Sequence, residues 1–247
     1  IGSGNVAQHL IDAFAKNKAI DIIQVFSRTQ KNISSNLDPV KITNNWNALA
    51  EADLYIIAVS DDAMADVSSQ LPFENRLVVH TSGSAPLTSL DNKNRKGVFY
   101  PLQTFTKGKA IDFKTIPFCL EAQSENDYEL LEKTASAISE NIHKIDSHQR
   151  KALHVAAVFV NNFTNYLYQL GNDICQENHV SFDILKPLIL ETAEKLLTLS
   201  PKEAQTGPAK RNDISTIEAH ESFLSNENQS TIYKILTQSI QNHGKKL

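Results

Sequence analysis

Residues 1–10 read IGSGNVAQHL, and how that decapeptide is read decides the fold. Gly2, Gly4 and Ala7 have the G-x-G-x-x-[G/A] spacing of a turn that joins a buried strand to a helix. The first glycine permits the tight turn, the second lets backbone approach a pyrophosphate, and a small third residue allows close helix–strand packing. A helix starting near Asn5 would aim its free N–H groups and positive dipole end at the anion, so Gly2, Ser3, Gly4, Asn5, Val6 and Ala7 form a candidate cradle. Only Ile1 precedes the turn, and a first strand of about five residues is expected upstream. Taken alone, two glycines before an ordinary helix would look the same; the downstream order of residues decides.

Three short apolar, β-branched runs follow: DIIQVFS (21–27), DLYIIAVS (53–60) and RLVVHTS (76–82). Such runs fit strands covered on both faces of a parallel sheet. GVFYP (97–101), IPFCLEA (116–122) and NIHKID (141–146) supply three more strands, and Leu130, Leu131, Ala135 and Ile138 mark an amphipathic helix between the last two. The alternation predicts an α/β domain over 1–146, a Rossmann-type doubly wound, mostly parallel sheet, whose ligand crevice lies at the carboxyl ends of the strands. Where the second strand ends, an NAD site carries Asp or Glu for the ribose 2′-hydroxyl. This chain has Ser27, Arg28 and Thr29. A guanidinium flanked by hydroxyls binds a 2′-phosphate that a carboxylate would repel, so the expected cofactor is NADP (NADPH). AVSDDAM (58–64) places Val59, Ser60 and Asp61 at the next strand end; HTSGS (80–84) and YPLQTF (100–105) add His80, Ser82, Tyr100 and Gln103.

From residue 147 the pattern is all-helical to 247. Residues 147–178 show helical period for about 25 residues, with apolar positions around most of the circumference, as for a helix buried on several sides or in a subunit interface. His154, Val158, Asn161, Asn162 and Asn165 fall on one stripe of that helix at α-helical period. The asparagines either bond neighbouring helices or face substrate, with His154, in the crevice. A second helix is expected over 182–199 with Pro187 near its start, and a turn-rich connection over 200–213. A capping box of Ser215 and Glu218 then opens a third helix, and a last helix covers 228–242. Within the connection, QTGPAKRND holds Thr206 and Arg211 as candidate substrate groups; His220 and Thr216 share a face of the helix beyond it.

The net charge of −4 gives no overall pull toward nucleic acid or anionic lipid, and no apolar run reaches the length of a membrane span. The eight histidines show no H-x-x-x-H or H-E-x-x-H pairing, so no metal site is expected. Cys119 and Cys175 have neither metal nor redox spacing and read as free thiols in a reducing, cytoplasmic setting.

GSGNVA, VFSRT, VVHTSGS, GVFYPLQTF, HVAAVFVNNFTN and QTGPAKRND together resemble the Rossmann-like NADP oxidoreductases that carry a helical C-terminal domain of unknown function. More distantly the chain is similar to pyrroline-5-carboxylate reductase, the β-hydroxyacid dehydrogenases and ketopantoate reductase. The resemblance implies cofactor at residues 2–7 and 27–29, a small-molecule substrate between the domains, and a homodimer through the C-terminal helices. The β-hydroxyacid dehydrogenases have a catalytic lysine three residues before an Asn-Asn pair; here that position is Val158. The lysine role does not carry over, and His154, one turn earlier, becomes the expected proton carrier, with His220 and Tyr100 in reserve. The expected activity is reduction or oxidation of a small carbonyl, imine or hydroxyacid, with substrate held by Gln103, Asn162, Asn165, Thr206 and Arg211. A non-catalytic NADP-binding sensor or dimeric scaffold, and a redox-neutral enzyme, stay open on the sequence.

Overall fold

The computed structural model describes residues 1–29, Ile33, Asp38 and residues 41–243. The chain forms two compact units, Ile1–Phe159 and Val160–Leu247.

In the first unit, helix α1 (Asn5–Ala15) follows the glycine turn. Two short parallel strands come next, β1 (Val25–Phe26) and β2 (Ile42–Thr43). Strand β3 (Tyr55–Ile57), helix α2 (Asp61–Ser69) and strands β4 (Leu77–His80), β5 (Arg95–Pro101) and β6 (Phe118–Ala122) follow. Helix α3 (Glu125–Ser136), strand β7 (Ile142–Lys144) and helix α4 (Ser147–Ala157) complete the unit. Strands β3 to β7 form one sheet in sequence order, parallel except between β5 and β6. Ile1 and Gly2 stitch this sheet to β1: the Ile1 amino group donates to Ile56 O, Ala58 N donates to Ile1 O at 2.8 Å, and Gly2 N donates to Phe26 O at 3.0 Å.

Alternation along the strands separates two apolar layers. Leu77, Val79, Phe99, Phe118 and Leu120 pack with Leu10 and Phe14 of α1 and Tyr128, Leu131 and Ala135 of α3. Tyr55, Ile57 and Val78 pack on the opposite face with Met64 of α2 and Leu71. The sheet is therefore covered on both sides, as the continuous apolar runs require. A cavity of about 710 Å³ lies among α1, β1, β3 and α3, with Leu10, Phe14, Val25, Ile56 and Leu130 in its walls.

The second unit contains α5 (Thr164–Glu177), α6 (Lys186–Glu194), α7 (Pro201–Ala204), α8 (Pro208–Arg211), α9 (Ile214–Phe223) and α10 (Glu227–His243). Four expectations change here. Between α4 and α5, residues Val158–Phe163 form a turn of π-helix. Its i→i+5 bonding shifts the register, so the stripe counted from His154 to Asn165 at α-helical period is broken. Within the chain the long helix is also not buried on several sides: Phe159, Val160, Asn161, Asn162 and Asn165 are all exposed. The 200–213 connection folds into two short helices, each with proline in its first turn and α7 opened by a Ser200–Glu203 capping box. Finally, α9 is capped by Asp213, whose carboxylate accepts from Thr216 N and from the Ser215 and Thr216 hydroxyls, so no Ser215–Glu218 box forms. Asp213 precedes Ser215 and offers two oxygens, and it takes the cap.

Candidate functional site

At the glycine turn Gly2 adopts φ of 119°, and a Cβ there would strike the carbonyl oxygen of Ala58, so only glycine fits. Val59 packs beside the same point. Gly4 is the N-cap of α1 and makes no side-chain cap; a Cβ on it would meet nothing within 4 Å. The space beside Gly4 at the start of α1 is open, and no side chain caps the helix, as an anion cradle requires. Asn5 donates to Phe105 O at 3.1 Å, and the His9 ring packs against Phe105 tilted by 54°, with centroids 5.1 Å apart. The loop carrying the exposed Gln103 is thereby fastened to the start of α1.

Beyond β1, Ser27 is buried, and its Oγ has no hydrogen-bond partner among the described residues, while Arg28 and Thr29 are exposed. An unsatisfied hydroxyl next in sequence to an exposed guanidinium suits a phosphorylated ribose. Ser60 opens α2, and Asp61 accepts from the Ser84 hydroxyl. Ser82 turns its hydroxyl inward on its own loop, where it accepts from Ser84 N at 3.1 Å and Ala85 N at 3.0 Å.

The carboxyl end of β5 brings together residues far apart in sequence. The Tyr100 hydroxyl lies 3.3 Å from His154 Nδ1 on α4. Gly83 packs against both: a Cβ on it would fall 2.5 Å from His154 Nδ1 and 2.8 Å from the Tyr100 hydroxyl. Burial pushes the Tyr100 phenol up to about 12, so it remains a proton donor at neutral pH. His80 is fully buried at the end of β4; its Nδ1 accepts from Ser82 N, which puts the ring proton on Nε2. Burial first, then the nearby Arg150 charge, lower the His80 pKa to about 4 and keep the ring neutral. Cys119, the cross-strand neighbour of Tyr100, is raised to about 11 by burial.

The sequence-predicted residues of the second unit are Asn162, Asn165, Thr206, Arg211 and His220, all exposed. His220 Nδ1 lies 2.9 Å from the Tyr233 hydroxyl, at the edge of a 380 Å³ apolar cavity with Leu170, Ile174 and Ile232 in its walls. This pairing occupies His220 within its own unit. Gly83, Arg150, Glu121 and Ser147 escaped the sequence reading. The available signal for Arg150 was its place four residues before His154, on the same helix face.

A family model described as a domain of unknown function, DUF2520, matches residues 116–240, and one described as "NADP oxidoreductase coenzyme F420-dependent" matches residues 1–83. A solved structure from Bacteroides fragilis, provisionally titled an NADP oxidoreductase, is 39% identical, with a TM-score of 0.87, over 98% of this chain and 96% of that one. The chain belongs to the NADP oxidoreductases that carry the DUF2520 domain. A protein of Thermotoga maritima shares the fold of this oxidoreductase at 22% identity and a TM-score of 0.79, over 100% of this chain and 98% of that one. The imine reductase of Myxococcus stipitatus, solved with NADP+, shares it at 15% identity and 0.66, over 99% and 92%. No match was found among curated proteins. The nucleotide of this oxidoreductase is NADP, and the open glycine cradle, the orphaned Ser27 hydroxyl and the exposed Arg28 fit it. No helix among the described residues is long and apolar enough to cross a membrane.

Proposed function

We propose that this oxidoreductase is an NADPH-dependent reductase of a small carbonyl or imine, or runs the reverse oxidation of a hydroxyacid. The observation that carries the reading is the Tyr100–His154 pair, a phenol and an imidazole in contact at the strand end where such a sheet binds its ligand. Bound NADPH supplies a hydride to the carbon of a C=O or C=N bond. The π pair of that bond passes to the heteroatom, which takes a proton from Tyr100, and His154 restores the proton to the phenol from solvent. Residues 2–7 hold the pyrophosphate, residues 27–29 the 2′-phosphate, and Val59, Ser60, Asp61 and Ser82 border the nucleotide. Tyr100 thus moves from reserve to direct donor, while His220, paired with Tyr233, is left out of the chemistry.

Gln103, Asn162, Asn165, Thr206 and Arg211 are proposed to hold substrate, and the helical region from residue 147 to pair two copies of the chain in the cytoplasm. Support for pairing comes from large apolar side chains left exposed in the second unit, among them Val160 (75%), Leu197 (83%), Ile184 (69%) and Phe223 (62%), more than a monomer ordinarily shows to water. NADPH oxidation in a screen of carbonyls and imines tests the reading. Turnover lost in His154→Ala and Tyr100→Phe supports it; tight NADPH binding without turnover of any substrate favours the non-catalytic sensor or scaffold.

A further inference from the structure

Arg150 is among the most deeply buried large side chains of the described residues, 1% exposed. Its Nη1 donates to the Glu121 carboxylate on β6; its Nη2 donates to Ala85 O at 2.7 Å and to the Ser147 hydroxyl at 3.2 Å. Ser147, the first residue of α4, in turn donates to both Glu121 oxygens at 3.0 and 2.9 Å. One guanidinium therefore joins α4, the sheet, and the 81–86 loop that contains Gly83. Taking a guanidinium and a carboxylate out of water costs several kcal/mol per ion before their attraction is counted, so a plain apolar contact would fasten the helix at least as well.

The register explains what the charged clamp achieves. Glu121 stands opposite Val98, and Tyr100 lies two residues further along the same face of β5. Two strand residues advance about 6.6 Å. From Arg150 to His154 the helix advances about 6 Å, and the two residues share a face. Pinning Arg150 at the level of Glu121 therefore delivers His154 to the level of Tyr100. The bond to Ala85 O simultaneously holds the loop whose Gly83 backs both rings. The clamp is directional and has one register; an apolar contact could slide. Arg150 Nε is buried and has no partner among the described residues, so the guanidinium is not placed for its own full satisfaction.

We propose that Arg150 is a positioning residue, whose buried guanidinium locks α4, β6 and the 81–86 loop in the one register that sets His154 against Tyr100. Its catalytic consequence rests on the proton-transfer role proposed above; its structural consequence does not. The test compares Arg150→Met, Arg150→Lys and Tyr100→Phe by ¹⁵N NMR of the His154 imidazole, by NADPH fluorescence titration and by turnover. In folded Arg150→Met the His154 Nδ1 resonance should move toward its position in Tyr100→Phe. NADPH Kd should stay within about twofold, and kcat should fall about tenfold or more with KM little changed. Arg150→Lys, which keeps the charge and a bond to Glu121, should recover part of both signals. An unchanged His154 resonance with unchanged kcat in folded Arg150→Met overturns the proposal. If that variant does not fold, Glu121→Gln is measured in the same way, and an unmoved His154 resonance there overturns it equally. Should His154→Ala and Tyr100→Phe keep full turnover while the resonance still moves in Arg150→Met, the proton-transfer role fails and the positioning stands.

Discussion

Tyr100 and His154 meet hydroxyl to imidazole at 3.3 Å across 54 residues of sequence, with Gly83 closing the third side. Tyr100 comes from the sheet, His154 from the helix laid over it, and Gly83 from the loop after β4. The phenol is held in its protonated form by burial, which is the state a donor to a newly reduced oxygen or nitrogen needs.

Removing either partner should therefore reduce turnover and spare the nucleotide. His154→Ala is expected to lower kcat by about 10²-fold, the lower end for a positioned acid or base, and Tyr100→Phe by a similar factor. Steady-state kinetics with NADPH Kd measured in parallel checks this. If His154→Ala is fully active, the imidazole is not on the proton path.

A methyl group at residue 83 has nowhere to go. Gly83→Ala should cost about 1–3 kcal/mol of stability through overpacking and should push the two rings apart. Denaturant unfolding reads the first effect, and the His154 imidazole resonance reads the second. A variant as stable as the parent, with the rings in place, would show that the loop yields freely.

Arg28 should discriminate between the two nicotinamide nucleotides. Arg28→Glu replaces a charge-assisted contact, worth about 1.5–3 kcal/mol, with repulsion, so NADPH affinity should drop by about tenfold to a hundredfold or more while NADH binding changes little. Fluorescence titration with both nucleotides decides it; equal losses would remove Arg28 from the 2′-phosphate site.

Stability should depend on pH through His80. Its pKa is about 4 in the folded chain against 6.5 when unfolded, so the unfolded chain binds a proton over that interval and the folded chain does not. The contribution is fully present above about pH 6.5, declines as the pH falls through the window down to about 4, and is gone below it, a span on the order of 3 kcal/mol. His80→Asn, which keeps an acceptor for Ser82 N, should flatten the curve between pH 6.5 and 4. Parallel curves for the two proteins, followed by urea unfolding, would refute the assignment.

The paired state of the chain is checked by light scattering on the purified protein. A dimer that dissociates on Leu197→Asp or Phe223→Asp, without loss of helicity, matches the exposed apolar residues of the second unit; a monodisperse monomer contradicts it.

Much of this protein could be read along the chain, because the determinants are local. A glycine spacing, the apolar runs of β3, β4 and β5, and an apolar face at period 3.6 in α3 each operate within a dozen residues. The expectation of a 2′-phosphate site at Ser27, Arg28 and Thr29 drew only on their distance from the glycine turn. The long helix was harder: its apolar circumference looked like burial, yet Phe159 and Val160 are exposed within the chain, and the π-turn at Val158–Phe163 left no mark in the residues.

What the sequence by itself determined is the kind of nucleotide turn, the alternation that makes the sheet, and a valine at the expected lysine position with a histidine one turn earlier. Only the tertiary structure decided that this histidine meets Tyr100, that Gly83 must be glycine, and that a buried Arg150 sets the register between them. Arg150 reaches Glu121 across 29 residues and Ala85 across 65. Contacts at such separations depend on how far a helix slides along a sheet. No propensity or period encodes that distance; the packed side chains and one buried ion pair fix it.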